Sequence, residues 1–258
     1  MSNQTSIIAE APSSSSIPAA LVHGAEWGIV LLLVAGMSHF VNRKRSAAAA
    51  GSRAVQRSAA IPNLHFSQPL QWISYGKQLE RSQQYAEAVA IYDQGLSHYP
   101  NDFHLWHERG LALAKLQQFE AAIASYNRAY QIRPEQRDLA HERGDALLQL
   151  GRYQEAIASF DIFLQYVPSN THVLADRGYA LFQLGCYEEA VRSLESVLKA
   201  NRWEGGSRAH AHYYYIEALR QSGQVEAALR AAKQAISQHP EERFKAQYAA
   251  LKQQLSHS

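Results

Sequence analysis

Apolar and small residues recur with a helical period along residues 69–242, and turns interrupt this period at regular intervals. Trp106, Gly110 and Leu113 stand at i, i+4 and i+7, which places them on one face of a helix. A polar turn follows, and a second helix with its own apolar stripe continues until Pro134 stops it. The pattern therefore predicts a pair of helices joined by a short turn.

The same helix pair returns every 34 residues along the chain. The repeated positions are Gly110, Gly144 and Gly178, then Ala88, Ala122, Ala156 and Ala190, and also Pro100, Pro134 and Pro168. The register predicts five units, 69–102, 103–136, 137–170, 171–208 and 209–242, with a four-residue insertion around Gly205 and Gly206. Because one pair cannot bury its apolar face alone, the five units are expected to stack.

Glycine recurs in the middle of the first helix of a unit, where it costs about 1 kcal/mol relative to alanine. We expect Gly110 to mark a close approach of two helices, with Ala122 and Tyr126 filling the space opposite. The turns between the two helices carry Gln117 or, in other units, a glycine that tolerates positive φ.

The last segment, 243–258, is predicted to be one more helix. Phe244, Tyr248, Leu251 and Leu255 form a single stripe along it. The stripe favours a cap that covers the exposed end of the stack, as solenoids need. A helix that binds a partner is the alternative.

These repeats resemble the tetratricopeptide repeat family, whose pattern has Trp, Leu-Gly, Tyr, Ala, Phe and Pro over about 34 residues. Trp106, Gly110, Ala122, Tyr126 and Pro134 carry the resemblance. It implies an all-α, right-handed superhelix (an α-solenoid) of five helix-turn-helix repeats. The departures from the pattern are Tyr75, Arg109, Arg143, Arg177 and Tyr215 before the glycine position, Ile216 at that position, and Arg202 in place of the closing proline.

The chain before the repeats is predicted to hold a membrane anchor. Residues 1–18 are Ser-rich and are predicted to form a disordered tail. Residues 27–41 carry no formal charge, and the longer span 19–41 that contains them is sufficient to cross a bilayer. Arg43, Lys44 and Arg45 follow, so the N-terminus is expected outside and the repeats on the cytoplasmic side. The alternatives are a cleaved signal peptide and a buried soluble helix.

Residues 42–68 form a basic, Ala-rich linker with two alternative roles. Arg53 and Arg57 lie four apart and could share one helix face. That face is either a solvated spacer or a contact with anionic lipid headgroups, where each cation adds about 1 kcal/mol.

The family resemblance implies that the first helices line a concave groove for extended or helical peptides. The predicted lining is Ile73, Lys77, His104, His107, Leu111, Asp138, His141, Asp145, His172, Tyr179, Phe182, His210, Tyr213, Glu217 and Arg220. Its acidic and aromatic members favour a neutral or basic partner segment with apolar side chains. We expect protein partners, chiefly subunits of a membrane complex, and the lipid bilayer as a second partner.

The groove histidines allow two interpretations. They form either a metal-binding or pH-responsive surface, or a set of solvated polar residues copied by repeat duplication. His107 and His141 lie on successive units, but no cysteine or convergent carboxylate set is evident beside them, so no metal and no cofactor are predicted. Cys186 is interpreted as a packing residue.

Catalytic signatures such as G-x-S-x-G, the P-loop, G-x-G-x-x-G and H-E-x-x-H do not occur in the sequence, so an enzyme is not expected. Residues 69–258 hold 20 Lys and Arg against 21 Asp and Glu, which argues against a general nucleic-acid binder. The first hypothesis is a membrane-anchored scaffold that assembles or stabilises a membrane complex. The layout resembles that of photosystem assembly factors, which implies an inner or thylakoid membrane. The second hypothesis is a regulatory or sensory subunit whose groove responds to metal or pH.

Overall fold

The computed structural model describes residues 64–200 and 208–257. The predicted tail at 1–18, the predicted transmembrane segment at 19–41 and linker residues 42–63 lie outside the described residues. All regular secondary structure in the described part is α-helical, which confirms the all-α prediction. None of these helices is both apolar and long enough to cross a lipid bilayer.

Eleven helices lie in the described residues. They are α1 (Pro69–Arg81), α2 (Tyr85–His98), α3 (Phe103–Lys115), α4 (Phe119–Ile132), α5 (Asp138–Gln149), α6 (Tyr153–Leu164), α7 (Thr171–Gln183), α8 (Tyr187–Lys199), α9 (Arg208–Gln221), α10 (Val225–Gln238) and α11 (Glu242–His257). Each helix packs on the next, and each first helix of a pair also contacts the first helix of the following pair. This is the arrangement of a solenoid.

The core continues from one helix pair into the next. One cluster of buried side chains includes Phe103 of α3, Tyr126 of α4, Leu147 of α5 and Val173 of α7. Burial of each pair therefore depends on its neighbours, as expected for stacked repeats.

The predicted close approach of the paired helices is confirmed. A Cβ atom added to Gly110 would lie 2.5 Å from the Tyr126 ring, and one added to Gly178 would lie 2.6 Å from Leu194 Cγ. In the fifth pair, Ile216 and Ala232 occupy the equivalent positions, and both are fully buried in one cluster. In this pair the large residue therefore lies on the first helix and the small residue on the second helix, the reverse of the arrangement in the other pairs.

The turns within the pairs also follow the prediction. Gly151, Gly185 and Gly223 have φ between 73° and 79°, and Gln117 takes the same left-handed conformation with φ 60°. Glycine is favoured in this conformation because glycine has no Cβ atom.

Arginines that replace the family's leucine connect first helices to second helices. Arg109 donates hydrogen bonds to Asp93 of α2 at 2.6 Å and to Ser125 of α4 at 2.7 Å. Arg143 repeats the bond to a serine, Ser159 of α6, at 2.7 Å. These charge-assisted bonds replace apolar contacts at the family's leucine position.

Helix α11 covers the end of the stack. Its Phe244 and Leu251 are buried in one cluster with Ile216 and Leu219 of α9 and Ala228 of α10. The apolar stripe of α11 is therefore occupied by contacts inside the chain.

Candidate partner-binding surface

The helices α1, α3, α5, α7 and α9 lie side by side, and we call their exposed and half-exposed side chains the first-helix surface. Most residues of the predicted groove lie on it. Contacts between neighbouring first helices form a series along the stack, and each contact has its own chemistry.

An ion pair joins α1 to α3. Lys77 Nζ lies 2.5 Å from Glu108 Oε1, and Glu108 is only 7% exposed. Tyr92 of α2 donates a 2.9 Å hydrogen bond to Glu80 beside this pair. Burial raises the pKa of Glu80, although its hydrogen bond with Tyr92 opposes that rise.

A histidine and a carboxylate join α3 to α5. His107 Nε2 lies 2.7 Å from Glu142 Oε2, and the imidazole stacks on the Phe103 ring with centroids 5.7 Å apart. Burial disfavours the charged imidazole, but the hydrogen bond and the negative charge of Glu142 outweigh it. The pKa of His107 is therefore raised above its usual value.

Two histidine–aspartate pairs meet between α5 and α7. We call these four side chains the His–Asp quartet: His141, Asp145, His172 and Asp176. One potential ligand atom from each residue lies within 4.8 Å of the other three. The quartet offers two imidazole nitrogens and two carboxylates, which is a set that transition metals bind.

Burial and crowding of negative charge shape the electrostatics of the quartet. The pKa of Asp145 is raised to about 8 by burial and by the charges of Asp176 and Glu142. Burial also raises the pKa of Asp176. The pKa of His141 is lowered, first by burial and then by His172. Each of these shifts disfavours the charged form of the group in the absence of a compensating partner.

Aromatic rings join α7 to α9. The Tyr214 ring lies 4.8 Å from the Tyr179 ring and 5.3 Å from the Phe182 ring, measured between centroids. All three side chains are partly exposed. They combine apolar area with hydroxyl groups, which suits contact with a partner protein.

The remaining predicted groove residues take different environments. His210 and Asp138 are exposed, whereas Leu111 packs against the core cluster that contains Phe103 and Tyr126. The exposed His104 lies 3.4 Å from the guanidinium of Arg133.

On α9, an ion pair and a cation–π contact involve three predicted groove residues. Arg220 pairs with Glu217 at 2.8 Å. The guanidinium of Arg243, on α11, lies 5.8 Å from the Tyr213 ring centroid.

Ile73 departs from the predicted groove. It is 8% exposed and belongs to the core cluster of the first pair, beside Trp72 and Ile91. As an apolar residue next to Trp72 on α1, it is drawn into the interface between helices rather than left on the surface.

The histidines on successive units do not meet each other at equivalent positions. His107 contacts Glu142, and His141 contacts His172 with ring centroids 5.3 Å apart. The carboxylate set that seemed absent is supplied by Asp145 and Asp176.

An offset shared by two of these contacts could have revealed the quartet. Lys77 meets Glu108 rather than Leu111, its equivalent in the next unit, and His141 meets His172 rather than Ala175. In these two contacts a side chain meets the position about one turn before its own equivalent in the next unit, whereas His107 meets Glu142, one position after its equivalent His141. Two H-x-x-x-D strings related by this offset, at 141–145 and 172–176, are the signal that a comparison of equivalent positions passed over.

A shallow apolar cavity of about 200 Å³ lies elsewhere, between α4, α5 and α6. Tyr130 and Ile162 line it and are both exposed, and Tyr126 and Leu139 form part of its wall. The sequence pattern did not predict this second surface.

Comparison with known families agrees with this architecture. Models described as tetratricopeptide repeat match residues 78–141, 141–191 and 176–243. No curated protein of similar sequence was found.

Solved structures share the fold at low sequence identity. MamA from Desulfovibrio magneticus RS-1 is 15% identical, with a TM-score of 0.61 over 67% of this chain and 96% of its own. YrrB, described as a TPR protein with an unusual peptide-binding site, is 19% identical, with a TM-score of 0.63 over 72% of this chain and 92% of its own. MamA AMB-1 is 22% identical, with a TM-score of 0.58 over 66% of this chain and 90% of its own. These similarities concern the fold.

Proposed function

Because the chain belongs to the tetratricopeptide repeat family of protein–protein interaction scaffolds, we propose that its first-helix surface holds a segment of a partner protein. The segment is extended or helical and carries apolar side chains with neutral or basic neighbours. It docks on α5, α7 and α9, where aromatic and acidic groups are adjacent.

The observation that carries this proposal is the distribution of charge on the surface. Lys77 and Arg220, the two cations among the predicted groove residues, are already paired with carboxylates of the same chain. Among the described residues, no lysine or arginine forms an ion pair with Asp138, Asp145 or Asp176. A cationic group of a partner would complement these carboxylates, while Tyr179 and Phe182 would receive its apolar side chains.

We further propose that the chain is a single-pass membrane protein that assembles or stabilises a membrane protein complex. The uncharged run at 27–41 and the cations Arg43, Lys44 and Arg45 support an anchor with the repeats on the cytoplasmic side of an inner or thylakoid membrane. Tethering would raise the effective concentration of the first-helix surface near membrane partners. A role in photosynthetic complexes is part of this proposal.

Site-specific photo-crosslinking of the full-length chain in its native membrane tests the docking surface. A crosslinker at Tyr179 is expected to capture a membrane-complex subunit, whereas one at Tyr166, which is exposed just after α6 and outside the first-helix surface, serves as the matched control. Equal capture at both positions, or recovery of soluble chaperones alone from Tyr179, would contradict the proposal.

Two membrane assays test the anchor separately. Alkaline extraction is expected to leave the full-length chain in the pellet, and release into the supernatant would count against an anchor. Protease added to right-side-out vesicles is expected to spare residues 69–258, and their digestion would reverse the orientation.

A further inference from the structure

We propose that the His–Asp quartet binds a divalent transition metal ion, zinc by its ligand set, and thereby links α5 to α7. The site shares Asp145 and Asp176 with the proposed docking surface, but the inference does not depend on the docking function. It rests on ligand type, geometry and unpaired polar atoms.

The ligand types favour zinc over the hard cations. Two imidazoles and two carboxylates match the nitrogen and oxygen ligands of four-coordinate zinc. Mg²⁺ and Ca²⁺ prefer sites made of oxygen alone. Both histidines sit four positions before an aspartate, so each pair occupies one helix face, one turn apart.

The distances within each pair fit a tetrahedral site. His141 Nε2 lies 3.3 Å from Asp145 Oδ2, and His172 Nε2 lies 3.5 Å from Asp176 Oδ2. Metal–ligand bonds of about 2.1 Å in a tetrahedron separate the ligands by about 3.4 Å. The two pairs then need only a small approach across the helix interface, since the four ligand atoms already lie within 4.8 Å.

Unpaired polar atoms within the quartet provide an independent observation. His141 Nε2 and Asp145 Oδ1 are both shielded from solvent, and neither makes a hydrogen bond, although His141 Nε2 lies 3.3 Å from the other carboxylate oxygen of Asp145. A buried polar atom without a partner is unfavourable. Coordination would satisfy an imidazole nitrogen and a carboxylate at once.

The negative charge around the quartet also favours a bound cation. The two carboxylates of the quartet have Glu142 as a further acidic neighbour, and no ion pair with lysine or arginine compensates them among the described residues. A dication placed between them removes the mutual repulsion of the carboxylates. The four side chains remain partly exposed, which leaves the ion a path to the site.

Calorimetric titration of the metal-stripped full-length protein with Zn²⁺ tests the proposal. We expect one ion per chain with an affinity of about 1 μM or tighter. The variants His172→Asn and Asp176→Asn each remove one ligand and are expected to weaken binding more than about 100-fold. His210→Asn alters an exposed histidine outside the quartet and should leave the affinity unchanged.

A second measurement separates ligation from a merely structural role. Asp145→Asn keeps the shape of the side chain but removes a negative charge from the cluster, so without metal the variant should unfold at the wild-type temperature or above. With Zn²⁺ at a hundredfold excess over its Kd, the wild type should gain about 5 °C or more and this variant much less.

Three results would overturn the proposal. They are binding no tighter than about 100 μM, binding that is unchanged in His172→Asn and Asp176→Asn, and equal loss of binding in His210→Asn. Far-UV circular dichroism of each variant without metal confirms that a lost affinity reflects a lost ligand.

Discussion

His107 on α3 and Glu142 on α5 meet at 2.7 Å, so an imidazole and a carboxylate connect two neighbouring helix pairs. The charged groups around His107 are Glu142 across the interface, Glu108 on its own helix and Lys77 on α1. The two carboxylates favour the protonated imidazole and Lys77 opposes it. The contact is therefore strongest when His107 is charged.

This contact predicts a pH-dependent contribution to stability. Because folding raises the pKa of His107, the contribution is fully present below its unfolded pKa of 6.5 and is lost as the pH rises through the higher folded pKa. The difference in free energy of unfolding between wild type and His107→Gln should be larger at low pH than at high pH, by up to about 1 kcal/mol. Urea unfolding of both proteins, at pH values below and above the titration of His107, measures this difference. A difference that does not change with pH would contradict the role given to the His107–Glu142 contact.

The ion pair between Lys77 and Glu108 makes a second prediction. Lys77→Ala leaves the buried Glu108 carboxylate without its partner, so the free energy of unfolding should fall by about 1–2 kcal/mol. The expected loss is smaller than that for a fully buried ion pair, because the ammonium group of Lys77 is partly exposed. Lys199→Ala breaks an exposed pair with Glu195 on α8 and should lower the free energy of unfolding much less, because solvent screens both charges. Equal losses in the two variants would contradict the role given to burial.

Gly110 and Tyr126 predict the effect of one added methyl group. Gly110→Ala improves helix propensity by about 1 kcal/mol, yet the new Cβ would lie 2.5 Å from the Tyr126 ring. We expect a net loss of about 1–3 kcal/mol in denaturant unfolding. Combined with Tyr126→Ala, which removes the ring, the substitution should cost much less than it does alone. Strict additivity in this cycle would show that the ring does not set the requirement for glycine.

The rings of Tyr179, Phe182 and Tyr214 predict how the fifth helix pair is held. Tyr214→Ala removes the aromatic contacts between α7 and α9, so α9 to α11 should open more readily than the preceding helices. We expect a loss of about 2 kcal/mol in the local stability of α9 to α11 by amide hydrogen exchange. Tyr130→Ala, at an exposed position on α4, is the control and should leave that protection unchanged.

The repeat itself could be predicted because its causes are local. The sequence period, glycine at the close approach and turns that favour positive φ can each be read from single units and their copies. The Gly110–Tyr126 contact and the turn at Gly151 therefore appeared where the pattern predicted them. The family resemblance, rather than the apolar period, implied that the first helices share a surface, and α1, α3, α5, α7 and α9 do lie side by side.

The pairing of side chains between units depended on the tertiary structure. Neighbouring first helices pack with a shift that is about one turn at Lys77–Glu108 and at His141–His172 but one residue at His107–Glu142, so the residues that meet are not the ones that the sequence repeat makes equivalent. A comparison of equivalent positions such as His107 and His141 therefore does not reveal the carboxylates beside His172. Ile73 was assigned to the groove for a related reason, because its angle around the helix is local but its burial depends on the neighbouring helices.

The helix pairs, their number and the character of their faces follow from the sequence, because hydrophobic period, turn chemistry and glycine size act over one or two helical turns. The three-dimensional packing of the helices is what brings two H-x-x-x-D strings into one quartet and places Tyr214 against Tyr179 and Phe182. Those contacts depend on how far one helix slides along the next. That displacement is set by the packing of whole side chains across the interface.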